Sequence, residues 1–199
     1  MDDGTRRKRE VEIYEAAYEL LSQNGYGGAS MLRIAKAAKA SNETLYRWYG
    51  DKDGLFKAMV RENAAETRRL LDEALSSRTD PWTTLESVAP VFLRMILGEK
   101  AILLNRAAAA DPSGALGAAI SGGGRNEVMP LLDELMRRLC LDTGSNPKDA
   151  TDWFLSLLVG DLQIRRVIHE RTALSERDID NRCKAGLAAF RRLLGSSQA

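Results

Sequence analysis

Apolar residues recur along this chain at helical spacing, and no stretch shows the strict alternation of a half-buried strand. From Arg6 to about Gln23, Val11, Tyr14, Ala17, Tyr18, Leu20 and Leu21 keep to one face. A first helix is predicted there, closed by Asn24 and Gly25, which suit a left-handed cap. Residues 2 to 5 ahead of it read as a disordered tip. Met31, Ile34, Ala35 and Ala38 repeat the spacing in a shorter second helix, with Ser30 as its N-cap. Ser41 opens a third over NETLYRWYG, because a serine hydroxyl can accept a hydrogen bond from the unpaired amides of a first turn. Asp51 and Asp53 bring negative charge to the positive end of a fourth. Leu55, Met59, Leu70, Leu71, Ala74 and Leu75 carry that one as a single long helix to about Ser76.

The rest of the chain is helical in pattern too. Asp80 followed by Pro81 caps a helix in which Trp82, Leu85, Val88, Ala89, Phe92, Leu93 and Ile96 are apolar, up to Gly98. Glu99 to Ala110 follows, ended by Asp111-Pro112-Ser113-Gly114. The run SGGGR at 121–125 reads as a flexible interruption, with Pro130 near the first turn of a helix continuing through Cys140. Asn146-Pro147 then introduces one helix from Lys148 to Arg171, and a last one carries Ile179, Cys183, Leu187, Phe190 and Leu194. The fold class expected is all-α. It comprises a three-helix domain over residues 1–53 and a larger helical domain over 54–199.

Two short helices joined by a tight turn form a helix-turn-helix, whose second helix fits a DNA major groove. On that helix Leu45 and Tyr49 fall inward, whereas Asn42, Thr44, Tyr46 and Arg47 are placed to supply donors and acceptors. Asn can bond adenine, Arg guanine, and Glu the cytosine amino group, so Asn42, Arg47 and Glu43 are the candidate base readers. Each is equally at home as a solvated surface residue.

The stretch resembles the signature of the TetR family of bacterial repressors. That signature is an Ile-Ala-x-x-Ala helix, a tight turn, Ser-x-x-Thr-Leu-Tyr-x-aromatic-aromatic, then Lys. Here the matching residues are Ile34, Ala35, Ala38, Ser41, Thr44, Leu45, Tyr46, Trp48, Tyr49 and Lys52. The chain departs from it at Lys39, where the family usually has a turn glycine, and at Ala40, where it has a larger aliphatic residue. The resemblance implies that Ser30, Thr44, Tyr46, Trp48 and Lys52 lie at DNA phosphates, with Arg33, Lys39 and Ser41 beside them, and that Asn42, Glu43 and Arg47 face bases. It also implies a body that binds a small-molecule effector, and the aliphatic and aromatic bias of that body suggests an apolar or aromatic one. The candidates for that site are Trp82, Phe92, Met95, Ile96, Leu103, Asn105, Arg106, Met129, Leu132, Trp153 and Leu157. The last two helices are implied to pair with those of a second copy through Phe154, Leu158, Leu162, Arg165, Ile168, Ile179, Cys183, Leu187 and Phe190. The function so implied is a ligand-responsive transcriptional regulator, a repressor in kind. As a homodimer it binds a near-palindromic double-stranded operator and is released by an inducer. A helical adaptor that has lost DNA binding is the rival reading.

Composition adjusts this picture modestly. Net charge is +1, and residues 1–60 hold ten Lys or Arg against nine Asp or Glu. Nucleic-acid binding rests on neutralised phosphates, so bulk charge alone does not point to it. The distribution lends some support, with a basic run at Arg6, Arg7, Lys8 and Arg9, and with Lys36 among the cations around the motif. Hydrophobic content of 44% is that of an ordinary globular protein. No apolar run approaches the roughly 18 residues of a membrane span, and the N-terminus lacks the apolar core of a signal peptide. A cytoplasmic protein without membrane contact is expected. Cys140 and Cys183 lack CxxC spacing, which predicts reduced, partly buried thiols. A single histidine, His169, no zinc spacing, no Gly-x-Ser-x-Gly elbow and no phosphate loop predict a non-enzyme without catalytic residues, metal or cofactor.

Overall fold

The computed structural model describes residues 3–141 and 143–196, and its regular elements are all helical. In chain order they are α1 (Asp3–Gly28), α2 (Met31–Ala37), α3 (Asn42–Tyr49), α4 (Lys52–Asn63), α5 (Ala65–Ser77), α6 (Pro81–Leu97), α7 (Glu99–Ala109), α8 (Ala115–Ile120), α9 (Asn126–Leu139), α10 (Pro147–Leu158), α11 (Leu162–Val167) and α12 (Glu176–Ser196). Ser121–Arg125 form a π-helical turn between α8 and α9. Among the described residues no helix is long and apolar enough to cross a membrane.

Local chemistry sets many of the boundaries. The hydroxyls of Ser30 and Ser41 accept from the amides of Arg33 and Thr44 at 3.3 and 3.0 Å. Asp80 accepts from the Thr83 amide at 2.8 Å, and Asn146 from Lys148 at 2.9 Å. Pro81 and Pro147 stand in first turns, where a missing N–H costs nothing. The amide and hydroxyl of Thr83 hold the Asp80 carboxyl below the usual carboxylate range.

Several boundaries differ from those expected. Asp3, Gly4 and Thr5 belong to α1 rather than to a disordered tip, and Asp2 lies outside the described residues. Gly25, at φ 65°, does break α1 where the sequence placed its end. The long fourth helix is two helices, parted at Ala64, whose ψ is −5°. The expected helix over 148–171 stops at Leu158, resumes after Gly160 at φ 52°, and ends before His169 at φ 63°.

The SGGGR run is a helical turn, not a loop, and its glycines have a packing cause. A Cβ built on Gly123 would overlap the Lys57 carbonyl, one on Gly124 would stand 3.0 Å from Val60 Cγ1, and one on Gly122 3.3 Å from Lys57 Cε. The turn lies directly against α4, so glycine is the residue that lets two backbones approach.

The chain forms two compact units. The first joins the residues up to Asn63 with Leu103–Gly124, around a core of Ile13, Ala17, Leu21, Ile34, Leu45, Leu55, Phe56, Met59 and Leu116. The second comprises Ala64–Ile102 and the residues from Arg125 onward, around Leu71, Leu85, Leu93, Leu132, Met136, Phe154 and Phe190. The boundary expected at 53/54 is therefore corrected. Leu55, Phe56, Met59 and Val60 bury α4 in the first core, and Leu104, Ala107, Leu116 and Ala119 return to it from later in the chain. Both cysteines are free and buried in the second unit. Burial, with Asp180 nearby, pushes the Cys183 thiol up to about 11, and burial raises Cys140 too.

Candidate nucleic-acid interface

The turn between α2 and α3 closes by a defined pattern of backbone bonds. The Ala40 amide donates to the Ala35 carbonyl at 2.9 Å, and the Lys39 amide to Lys36 at 3.2 Å. These are the six-to-one and five-to-two bonds of a Schellman cap, which requires a left-handed residue between them. Lys39 is that residue, at φ 51°. The departure at Lys39 leaves the turn intact at a local cost, since a side chain in this region is disfavoured by about 1–2 kcal/mol. Lys39→Gly is therefore expected to stabilise the chain by about 1 kcal/mol, read as a higher urea midpoint at unchanged slope. A lower midpoint would contradict the strain.

α3 is seated by Leu45, which is fully buried. The Tyr49 ring lies 6.1 Å from that of Tyr14 and 6.2 Å from that of Trp48, and the Arg6 guanidinium stands 5.3 Å over the Trp48 ring. Opposite this seat, Glu43, Tyr46 and Arg47 are exposed. Ser41 and Thr44 are tied to one another at the helix start, their hydroxyls 2.7 Å apart. Asn42 departs from its expected role. Its Oδ1 is shut from solvent without a partner, so in this conformation it cannot offer the paired donor and acceptor that reading adenine requires.

The flanking cations fall into two groups. Arg33 is exposed yet fixed, bonding the Gly28 carbonyl at 2.7 Å and Asn24 Oδ1 at 3.1 Å. Lys52 is half-buried, its ammonium 3.1 Å from the Tyr26 carbonyl and 3.7 Å from the centre of the Tyr26 ring. Tyr26 is in turn bonded to Asp53. Tyr26 was not legible from sequence as a holder of Lys52, because they lie 26 residues apart. The basic run is taken up by acids of the protein itself: within α1, Arg6 pairs with Glu10 at 3.1 Å and Arg9 with Glu12 at 2.8 Å, and Arg7 pairs with Glu62 of α4. In contrast, Lys36, Lys39 and Arg47 are exposed with no acidic partner among the described residues, and these cations are free to displace counterions.

Burial raises the phenols of Tyr14, Tyr18, Tyr26 and Tyr49, all in this unit; the Asp53 bond adds to it for Tyr26. A raised folded value gives stability that is complete below the unfolded value of about 10 and lost as pH climbs through the folded one. In an alkaline titration followed by phenolate absorbance, these four should ionise only as the unit unfolds. Ionisation with native helicity intact would contradict their burial.

The remaining candidates are dispersed. Leu103, Asn105 and Arg106 belong to the first unit, all half-buried. The other effector candidates belong to the second, where Phe92 and Leu132 are core and Trp82, Met95, Ile96, Met129, Trp153 and Leu157 pack partly buried against it. Of these, Trp82 lines an open groove of about 470 Å³ between α6 and α12. The dimer candidates need correction. Phe154, Leu158, Leu162, Ile179, Cys183 and Phe190 are buried in the core of their own chain, and Phe154 packs edge-on to Phe190 with ring centres 5.7 Å apart. A buried side chain has no surface to give a second copy. Arg165 and Leu187 are partly exposed, and Ile168 is 58% exposed.

Residues 13–59, which run from within α1 through α2 and α3 into α4, match the model of the bacterial regulatory proteins of the tetR family. Over this segment the chain is that of a TetR-family regulator. The repressor AcnR of Corynebacterium glutamicum is 36% identical to this chain over 62 residues, 31% of this chain and 33% of that protein. The chain thus matches about a third of the length of that relative. A Mesorhizobium loti protein described as a TetR-family transcriptional regulator shares the fold with a TM-score of 0.71, at 22% identity, over 97% of this chain and 98% of that one. The flavonoid-responsive regulator FrrA matches with a TM-score of 0.64 at 24% identity, over 94% and 96%.

Proposed function

We propose that this chain is a cytoplasmic transcriptional repressor that reads duplex DNA with α3. The observation that carries the reading is the placement of Glu43, Tyr46 and Arg47 on the exposed face of a helix whose other face is fixed by Leu45 and by a capped turn. Arg47 reads a guanine, Glu43 a cytosine amino group, and Ser30, Arg33, Lys36, Lys39, Tyr46 and Lys52 meet phosphates. Ser41 and Thr44 hold the helix start and Trp48 its seat. Arg47→Ala is expected to reduce discrimination at one base pair by about 1–3 kcal/mol, measured by competition among single-substituted duplexes. A uniform loss over all sequences would make Arg47 a phosphate contact instead.

Two copies bind a near-palindrome, since one α3 covers only one half-site. The surface we assign to the pairing is the flank shared by α10 and α12. There Trp153, Leu157 and Ala189 are half-buried, Ala185 is exposed, and Leu193 is 39% exposed. The second unit takes a small apolar or aromatic effector, in keeping with the response of FrrA to flavonoids. The effector lowers DNA affinity to the extent that it binds the non-reading conformation better. An enzyme reading finds no support in the relatives matched, which are regulators.

A further inference from the structure

The groove between α6 and α12 lies within the second unit. Its volume of about 470 Å³ is in the range of small-molecule sites. Trp82, Pro90, Cys183, Leu187 and Ala188 supply an apolar floor, and Glu86, Asp180, Lys184 and Arg191 the rim. Trp82 is braced from behind by Phe190, ring centres 5.8 Å apart, and its face carries the Arg191 guanidinium at 4.4 Å. A flat ring can exchange with that guanidinium on the indole, because both use the same face.

The rim charges are unequal in their partners. Glu86 is paired with Arg191 at 3.9 Å. Asp180 faces Arg94, which is itself bonded to Glu176. Lys184 has no acidic partner among the described residues. Each carboxylate of the rim thus has a guanidinium close by, while one ammonium remains unpaired. The rim is neutral overall, two carboxylates against two cations, and Lys184 is its cation without an acidic partner among the described residues, the charge that an added anion can meet.

We propose that the α6–α12 groove binds a small planar aromatic carboxylate, its ring on Trp82 and Leu187 and its carboxylate between Lys184 and Arg191. The site deepens the effector reading above and rests on it for its regulatory consequence, though not for binding itself. Arg191 then leaves Glu86 for the ligand, and the indole exchanges a guanidinium for a ring.

The test uses the full chain without DNA, with naphthalene-2-carboxylate as probe and its neutral carboxamide as control, followed by calorimetry. The expected result is saturable binding of the carboxylate, about fivefold tighter than the carboxamide, the scale of one well-placed exposed ion pair. That advantage should vanish in Lys184→Met, persist in Lys184→Arg, and both probes should weaken in Trp82→Leu. Circular dichroism of each variant confirms that it is folded. Equal affinity for the two probes, absence of saturation, or an advantage retained in folded Lys184→Met overturns the site. Release of bound DNA by the carboxylate is read separately. Binding without release upholds the site and overturns its role as the effector site, whereas release with no groove binding overturns the site and upholds a ligand-responsive repressor.

Discussion

Leu45→Ala is expected to destabilise the chain by about 2–5 kcal/mol, the range for truncating a fully buried leucine. Leu45 is the one fully buried side chain among the described residues of α3, and the helix is only eight residues long. A helix of that length has little stability of its own and depends on tertiary packing. Loss of its anchor frees α3 from α2, so sequence-selective binding should fail along with the lowered unfolding midpoint. Tyr46→Ala is the contrasting variant. Tyr46 is 50% exposed, and its removal should change stability by no more than about 0.5 kcal/mol. Comparable losses of stability in the two variants would contradict the seating of α3.

Gly123→Ala is expected to destabilise by about 1–3 kcal/mol or more, through overpacking. The added methyl would overlap the Lys57 carbonyl, a backbone atom that cannot swing aside as a side-chain tip would. Gly117 provides the control. A Cβ there meets nothing within 4 Å, and the residue lies inside α8, so Gly117→Ala should stabilise by about 0.5–1 kcal/mol. Opposite signs for two glycines six residues apart would separate close packing from helix propensity. Stabilisation by both would mean that the π-helical turn is not pressed against α4.

The parts of the interface that were legible in the sequence are those fixed within a few residues. Ser30 and Ser41 cap the amides three positions ahead, and the spacing of Ile34, Ala35, Ala38 and Leu45 sets the inward faces. What was not legible depends on partners far along the chain. The glycines at 122–124 read as a flexible break, because the reason for them is Lys57 and Val60, more than sixty residues earlier. Arg7 belongs to a basic run that lends support to DNA binding in the sequence, but its partner is Glu62. The gap at Ala64 has no proline or glycine to announce it. Periodicity also shows that a helix has an apolar face without saying which helix covers it. Phe154 and Leu158 were therefore placed against a second copy, although their own α12 buries them, and Trp153 and Leu157 keep the more open flank.

The same distinction sorts the DNA-facing residues. Arg47 and Glu43 are exposed as the pattern predicts. Asn42, at the helix start beside them, turns its carbonyl oxygen inward, which single-residue chemistry does not foretell. Lys39 shows the reverse: an unfavoured residue type occupies the turn, yet the hydrogen bonds of the turn are complete.

The most direct test of the central claim is selection of tight binders from random duplex DNA by the purified chain at moderate salt, with the recovered duplexes sequenced. The expected result is enrichment of a near-palindrome, its half-sites about one helical turn or a multiple of it apart, and loss of preference at one position of each half in Arg47→Ala. Recovery of no common sequence by folded, dimeric protein would contradict it.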